Sequence, residues 1–402
     1  MRRNSMALLA AFAAVLVVGC EKKKTSSGDE AGGVKPAGAG LEAPGPAPAA
    51  EDTLLLGEVG SLTGAQATFG ISTQRGIELA INAANAQGGV KGKKLAVRVY
   101  DDQSKPEEAG NATTRLITQD KVKLILGEVA SSNSLAMAEK AQEAKVPMIT
   151  PSSTNPKVTE KGDYIFRVCF IDPFQGAVAA KFARENLKVN NAAILTDNKS
   201  AYSIGLAEVF EPKLTELGGK VISKERNSQG DTDFSAHHTA IKKAKPDAIY
   251  VPGYYSDVGI IARQARELGI KVPLIGGDGW DSPKLFELGG SAMEGNYFSN
   301  HYATDNPAPE TQNFISAYKK AYNETPDALA ALGYDAARVA IDAMKRAKDL
   351  SPQGIRDAIA ETKNFPGAAG GITLDANRNP SKSAVVLQIV DGKYKFVATI
   401  NP

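Results

Sequence analysis

Two hydroxyl clusters define the chemistry this chain can offer. Ser131 and Ser132 follow the apolar run that begins Leu124-Ile125-Leu126, and Ser152, Ser153 and Thr154 follow Val146-Pro147-Met148-Ile149. Between them Leu135, Ala138 and Ala141 recur at helical spacing, with Glu139, Lys140 and Glu143 outside. The pattern predicts strand, helix, strand, with parallel strands and a right-handed crossover. Both clusters then fall at the carboxyl ends of strands, where open α/β sheets place their ligands. Ser131 and Ser132 also open the helix, so free backbone N–H groups and the positive dipole end face that crevice. Such a seat suits a small anion, a carboxylate among them. The competing reading is a pair of ordinary helix caps, a common use of serine.

Other reactive residue types point away from catalysis. His237 and His238 are adjacent on a predicted helix, lack the i, i+4 geometry of a zinc helix, and are expected on a solvated surface. The glycines of Gly367-Ala368-Ala369-Gly370-Gly371 precede a strand rather than a helix, so they form no phosphate cradle. His301 stands near an expected crossover, yet no Gly-x-Ser-x-Gly elbow surrounds any of the serines above. Cys169 lies in the apolar run 165–170 and reads as a small buried hydrophobe. Neither an enzyme, a metal nor a cofactor is expected.

The rest of the chain must position those clusters. Its 402 residues are enough for two domains. A net charge of +2 and the lack of basic runs interleaved with aromatics argue against a nucleic-acid partner. Arg2 and Arg3 precede an apolar run at 6–18, too short for a comfortable membrane span, that ends Val17-Val18-Gly19-Cys20. Small residues before that cysteine resemble a bacterial lipobox, which implies cleavage before Cys20 and its lipidation. The chain has two cysteines, so a lipidated Cys20 leaves Cys169 without a disulfide partner. A Lys-, Ser-, Gly-, Ala- and Pro-rich stretch without periodicity then reads as a disordered tether.

From residue 53 the chain alternates strands and helices, with a strand at 54–59, a helix from about 70 and a strand at 95–100. After Asp172-Pro173-Phe174-Gln175-Gly176 the alternation restarts, with strands at 191–196, 220–223, 247–251 and 272–276. Helices at 309–322, 328–347 and 352–362 and final strands at 384–390 and 393–400 exceed what a second lobe needs. The chain is therefore expected to cross between lobes more than once.

Taken in order, several short motifs resemble the leucine/isoleucine/valine-binding-like receptors of ABC importers, which have the type I periplasmic binding fold. These are Gly60-Ser61-Leu62-Thr63-Gly64, Asn85-Ala86-Gln87-Gly88-Gly89-Val90-Lys91-Gly92, Tyr100-Asp101-Asp102, Ile149-Thr150-Pro151-Ser152-Ser153-Thr154, Asp172-Pro173-Phe174-Gln175-Gly176 and Gly277-Asp278-Gly279-Trp280. The resemblance implies an α/β protein of two doubly wound Rossmann-like lobes joined by a multi-strand hinge. It divides the chain into a leader (1–20), a tether (21–52), a first lobe (53–171 and 302–382) and a second lobe (172–301 and 383–402).

It also implies ligand contacts. Ser131 matches the carboxylate ligand, Ser152 offers its carbonyl to an ammonium, and Thr154 touches both ends. Asp278 stands where the family pairs an acid with the ammonium, although Asp between glycines is also a common turn former. Tyr202 and Tyr254 match aromatics that close over the ligand, Phe69 guards the first lobe's side, and Trp280 is expected to line the cleft. Tyr255 is expected to point elsewhere. Ser104 and Ala130 replace a disulfide found in some relatives, the acid is Asp rather than Glu, and Ala130 and Ala328 are small. These departures leave ligand identity open.

The implied protein is an exported, lipid-anchored, monomeric receptor that binds a small amino acid, branched-chain or otherwise aliphatic, and delivers it to an ABC permease. A zwitterion held by donors on one lobe and an acid on the other would shift the hinge toward closure. Alternatives are a sensor docking to a signalling receptor, or a binder of an amide or small carboxylate.

Overall fold

The structure, a computed structural model, describes residues 52–402. The leader, Cys20 and the tether up to residue 51 lie outside the described residues. Five parallel strands form the first sheet, in the order β2-β1-β3-β4-β5. They are β1 (Thr53–Gly60), β2 (Lys94–Asp101), β3 (Ile125–Leu126), β4 (Met148–Thr150) and β5 (Ile165–Arg167). Between them run α1 (Ala67–Ala86), α2 (Pro106–Thr118), α3 (Ser131–Glu143) and the single turn α4 (Lys157–Glu160). Local sequence explains several ends. For example, α2 starts on a proline, with Glu107 and Glu108 in its first turn and Arg115 in its last, matching the helix dipole.

The chain then enters a second sheet through α5 (Asp172–Glu185). It continues through β6 (Asn191–Asp197), α6 (Ala201–Glu216), β7 (Lys220–Asn227), α7 (Ser235–Ala244), β8 (Ala248–Tyr250), α8 (Tyr255–Glu267) and β9 (Leu274–Gly276). A one-turn 3₁₀ segment at Asp278–Trp280, α9 (Lys284–Gly289) and β10 (Tyr297–Asn300) complete this pass. Three helices, α10 (Pro309–Tyr322), α11 (Ala328–Arg346) and α12 (Pro352–Ala360), return to the first lobe. The antiparallel pair β11 (Ala384–Val390) and β12 (Lys393–Ile400) then closes the second sheet, whose order is β12-β11-β10-β9-β8-β6-β7. The chain thus passes between the sheets three times. Among the described residues, no helix is long and apolar enough to cross a membrane.

The return helices belong to the first lobe because α11 packs on α1 almost backbone to backbone. A Cβ on Gly76 would stand 2.0 Å from the Ala330 carbonyl oxygen, and one on Gly333 would stand 2.5 Å from that of Thr73. Only glycine permits that approach. Around this crossing Ile77, Ile81, Phe314, Leu332 and Met344 form the first lobe's core. The second core, around Leu206, Ile249, Ile275 and Phe298, also takes in Phe69, Val129, Ala130 and Leu329 from the first lobe. The two lobes are closed on one another.

Two features differ from the sequence reading. His238 is fully buried rather than solvated, because Phe234, His238 and Ile241 follow helical spacing on the inner face of the α7 region. Burial pushes its pKa down to about 4. His237 is partly buried at the surface, 3.6 Å from Glu225. Strand β10, which carries the chain to its second crossing, was not anticipated. Cys169 is buried as expected, with its thiol pushed up to about 12 by burial.

Candidate functional site

Between the lobes lies a small cavity lined by Phe69, Val129, Ser131, Ser152, Tyr202, Tyr254, Asp278, Gly279 and Leu329. All nine are buried. Six of the eight residues expected to contact a ligand are therefore brought together.

On the first-lobe side, the loops after β3 and β4 are fastened to each other by buried polar groups. The Glu128 carboxyl accepts from the Ser61 N–H and hydroxyl, both at 3.0 Å, and from the Ala130 N–H at 2.6 Å. Burial, reinforced by the charge of Asp102, holds that carboxyl well above its usual range. Thr150 and Ser153 donate their hydroxyls to the Glu128 carbonyl at 2.6 and 3.1 Å. The buried Arg167 guanidinium donates to the carbonyls of Ser153 and Asn155. These bonds fix the two loops so that Ser131 and Ser152 face the cavity.

Ser131 is not a helix cap. Ala130 occupies the cap position of α3 without a side-chain bond, and the Ser131 hydroxyl accepts from the Asn155 N–H at 3.3 Å. The start of α3 is therefore open toward the cavity. Thr154 is buried but absent from the cavity wall; its carbonyl accepts the Asp172 N–H at 2.9 Å at the entry to α5.

On the second-lobe side everything converges on Asp278. One carboxylate oxygen accepts from Gln175 Nε2 and from Tyr202 Oη, each at 2.8 Å. The other lies 2.8 Å from His301 Nε2. Burial lowers the His301 pKa, against the pull of Asp278. Burial and the Asp278 charge hold the Tyr202 phenol well above its usual range, so it remains a donor. The flanking glycines make this possible. A Cβ on Gly277 would stand 2.4 Å from Tyr202 Oη, and one on Gly279 would stand 3.0 Å from the Tyr254 ring. Tyr202 and Tyr254 stack with centroids 5.0 Å apart, and Phe69 meets Tyr254 edge-on at 6.0 Å.

The structure corrects a second expectation besides Thr154. Trp280 does not line the cavity, because the 3₁₀ turn sends it away from Asp278. Its indole lies over Gly276 and donates from Nε1 to the Val251 carbonyl at 3.1 Å. Tyr255 does point elsewhere, donating no cavity surface and packing on Phe69 at 4.8 Å. Val129, Gly279 and Leu329 also line the cavity, and Gln175 and His301 are partners of Asp278, roles that residue type and spacing do not predict. Gln175 and Gly279 sat inside motifs already recognised, whereas Leu329 and His301 carried no local signal.

The cavity is thus a mainly apolar slot that Ser131, at the start of α3, and Asp278 reach from opposite lobes. No Lys or Arg lines it, and the side-chain partners of Asp278 are Gln175, Tyr202 and His301. A buried carboxyl group with acceptor capacity at the cavity wall can receive a donor group from a ligand.

Fold and cavity together define a two-lobed solute receptor. The sequence profile of the periplasmic binding protein family matches residues 53–393, and the chain belongs to that family. It is 33% identical over 349 residues to Leu/Ile/Val-binding protein homolog 2 of Brucella abortus (strain 2308), covering 85% of this chain and 93% of the relative. The crystal structure of a leucine binding protein, LivK, from Thermotoga maritima MSB8 superposes with a TM-score of 0.84 at 42% identity, covering 87% of this chain and 99% of that one. The branched-chain amino acid transporter substrate binding protein LivJ from Streptococcus pneumoniae, in complex with isoleucine, gives 0.83 at 35% identity, covering 87% and 100%. The resemblance read from the motifs and the two-lobed fold class both hold.

Proposed function

We propose that this chain is the exported solute-binding component of an ABC importer and takes a small aliphatic α-amino acid. The observation that carries the reading is Asp278, buried at the wall of a slot that no Lys or Arg lines and that Ser131 at the start of α3 also reaches. In this reading the ligand carboxylate rests on the Ser131 hydroxyl and the free N–H groups of α3. Its ammonium pairs with Asp278 and the Ser152 carbonyl. The side chain lies against Phe69, Val129 and Leu329, and Tyr202 and Tyr254 cover it from the second lobe. Thr154 supports the site from behind, and Trp280 has no ligand role. The relatives that bind leucine and isoleucine support the aliphatic class.

A lipid on Cys20 would hold the receptor at a membrane while the tether lets the body reach a permease, with the receptor acting as a monomer. Titration calorimetry against a panel of amino acids, amides and small carboxylates tests the proposal. Binding confined to zwitterionic aliphatic amino acids is the expected outcome. Equal binding of the matching carboxylates without an amine would overturn it.

A further inference from the structure

Three residues beyond Asp278, at the far end of the same turn, Asp281 grips the opposite lobe. Its carboxylate accepts from the backbone N–H of Ala328, the first residue of α11, at 2.8 Å. The same oxygen accepts from Asn300 Nδ2 at 2.9 Å. The next residue, Ser282, places its hydroxyl 2.8 Å from that of Thr68 in α1. Tyr255 Oη accepts from the Thr68 N–H at 3.3 Å. Each residue gripped in the first lobe adjoins one that seals the cavity, for Thr68 precedes Phe69 and Ala328 precedes Leu329. Asp281 and Ser282 are themselves buried and are absent from the cavity wall.

We propose that Asp281 and Ser282 form a clasp that fastens Phe69 and Leu329 over the solute, so that two residues touching no ligand help set its affinity. The proposal rests on the reading of this cleft as the solute site. Asn300 ends β10 and belongs to the second sheet, so it aims Asp281 from within its own lobe. The bonds to Ala328 and Thr68 cross between the lobes and break when they part. Contacts made in one state only shift the equilibrium toward that state. The turn also ties solute to clasp: a guest that orders Asp278 orders Asp281 with it. The integrity of α11 does not depend on this bond, since Asp327 caps that helix separately through the Ala330 N–H at 2.8 Å.

Calorimetry with L-leucine and L-isoleucine as probes, run beside small-angle scattering of the full chain, tests the clasp. Asp281→Ala is expected to weaken probe binding by roughly tenfold or more through the closed population. The unliganded thermal midpoint should stay within about 2 °C of wild type. Ser282→Ala should show a smaller loss. Asp281→Asn, which keeps an acceptor oxygen for the Ala328 N–H, should recover most of the affinity. Unchanged binding by Asp281→Ala overturns the clasp, as does a loss accompanied by a large fall in the unliganded midpoint. If the wild type binds neither probe, the solute reading falls, and scattering alone decides the clasp. A larger radius of gyration for Asp281→Ala then supports it, and an equal one overturns it.

Discussion

Replacing Asp278 by Asn isolates the charge on which the solute reading turns. The amide oxygen can go on accepting from Gln175 and Tyr202, which now lie at 2.8 Å. The new amide nitrogen meets His301, and the imidazole can adapt. His301 Nδ1 has no hydrogen-bond partner, so the ring proton can move there and leave Nε2 to accept. The fold absorbs the substitution, and the lost charge falls on the ligand. Leaving one member of a buried, hydrogen-bonded charge pair without its partner costs about 2–5 kcal/mol. A central value of about 3 kcal/mol corresponds to roughly 140-fold in Kd. Calorimetry of Asp278→Asn with L-leucine near neutral pH should show a loss of that order, with the unliganded melting temperature close to wild type. Leucine lacking its amino group supplies the second arm: Asp278 repels it in the wild type, so the variant should narrow the gap between the two ligands. Affinity for L-leucine within about threefold of wild type, under 1 kcal/mol, would refute the pairing of Asp278 with an ammonium.

Ser131→Ala removes one hydroxyl from a charged ligand group and spares the N–H groups of α3. Calorimetry should register a loss of about 1.5–3 kcal/mol, the worth of a hydrogen bond to a charged group. Gly279→Ala would place a methyl 2.8 Å from the Gly253 carbonyl and about 3 Å from both stacked tyrosines. Overpacking of that kind costs about 1–3 kcal/mol, and here it should appear as weakened ligand binding measured by titration. Glu58→Gln addresses stability away from the cavity. Burial, with the Glu78 charge behind it, raises the Glu58 carboxyl to about 8 from 4.5. The folded protein therefore holds this proton where the unfolded chain has released it. The contribution is full below about pH 4.5 and is lost as the pH rises through about 8. Thermal melts at pH 5 and pH 9 should differ less for Glu58→Gln than for the wild type.

The strong periodic signals of the sequence translated directly into structure. Leu135, Ala138 and Ala141 marked α3, and the apolar runs ending at Leu126 and Ile149 marked the strands that deliver Ser131 and Ser152 to the cavity. Asp278 was legible only through its motif, because aspartate between glycines is locally indistinguishable from an ordinary turn. Trp280 went astray for a related reason: two residues along a 3₁₀ turn reverse the facing of a side chain, and nothing local announces that turn. His238 was misplaced although Phe234 and Ile241 on either side already outlined a buried face. Contacts between distant segments, such as His301 to Asp278 or Asp281 to Ala328, left no trace in local pattern. The first joins the ends of neighbouring strands β9 and β10, and the second exists only because the chain crossings bring separate sheets together.

The glycine contact between α1 and α11 has a consequence for selectivity. Phe69 and Leu329 ride on two helices whose backbones already touch, so that side of the chamber cannot spread to admit a bulkier guest. A molecule one methylene too long registers as jaws left ajar, not as a local bulge. The angle between the halves then becomes a gauge of guest size, visible from outside the molecule.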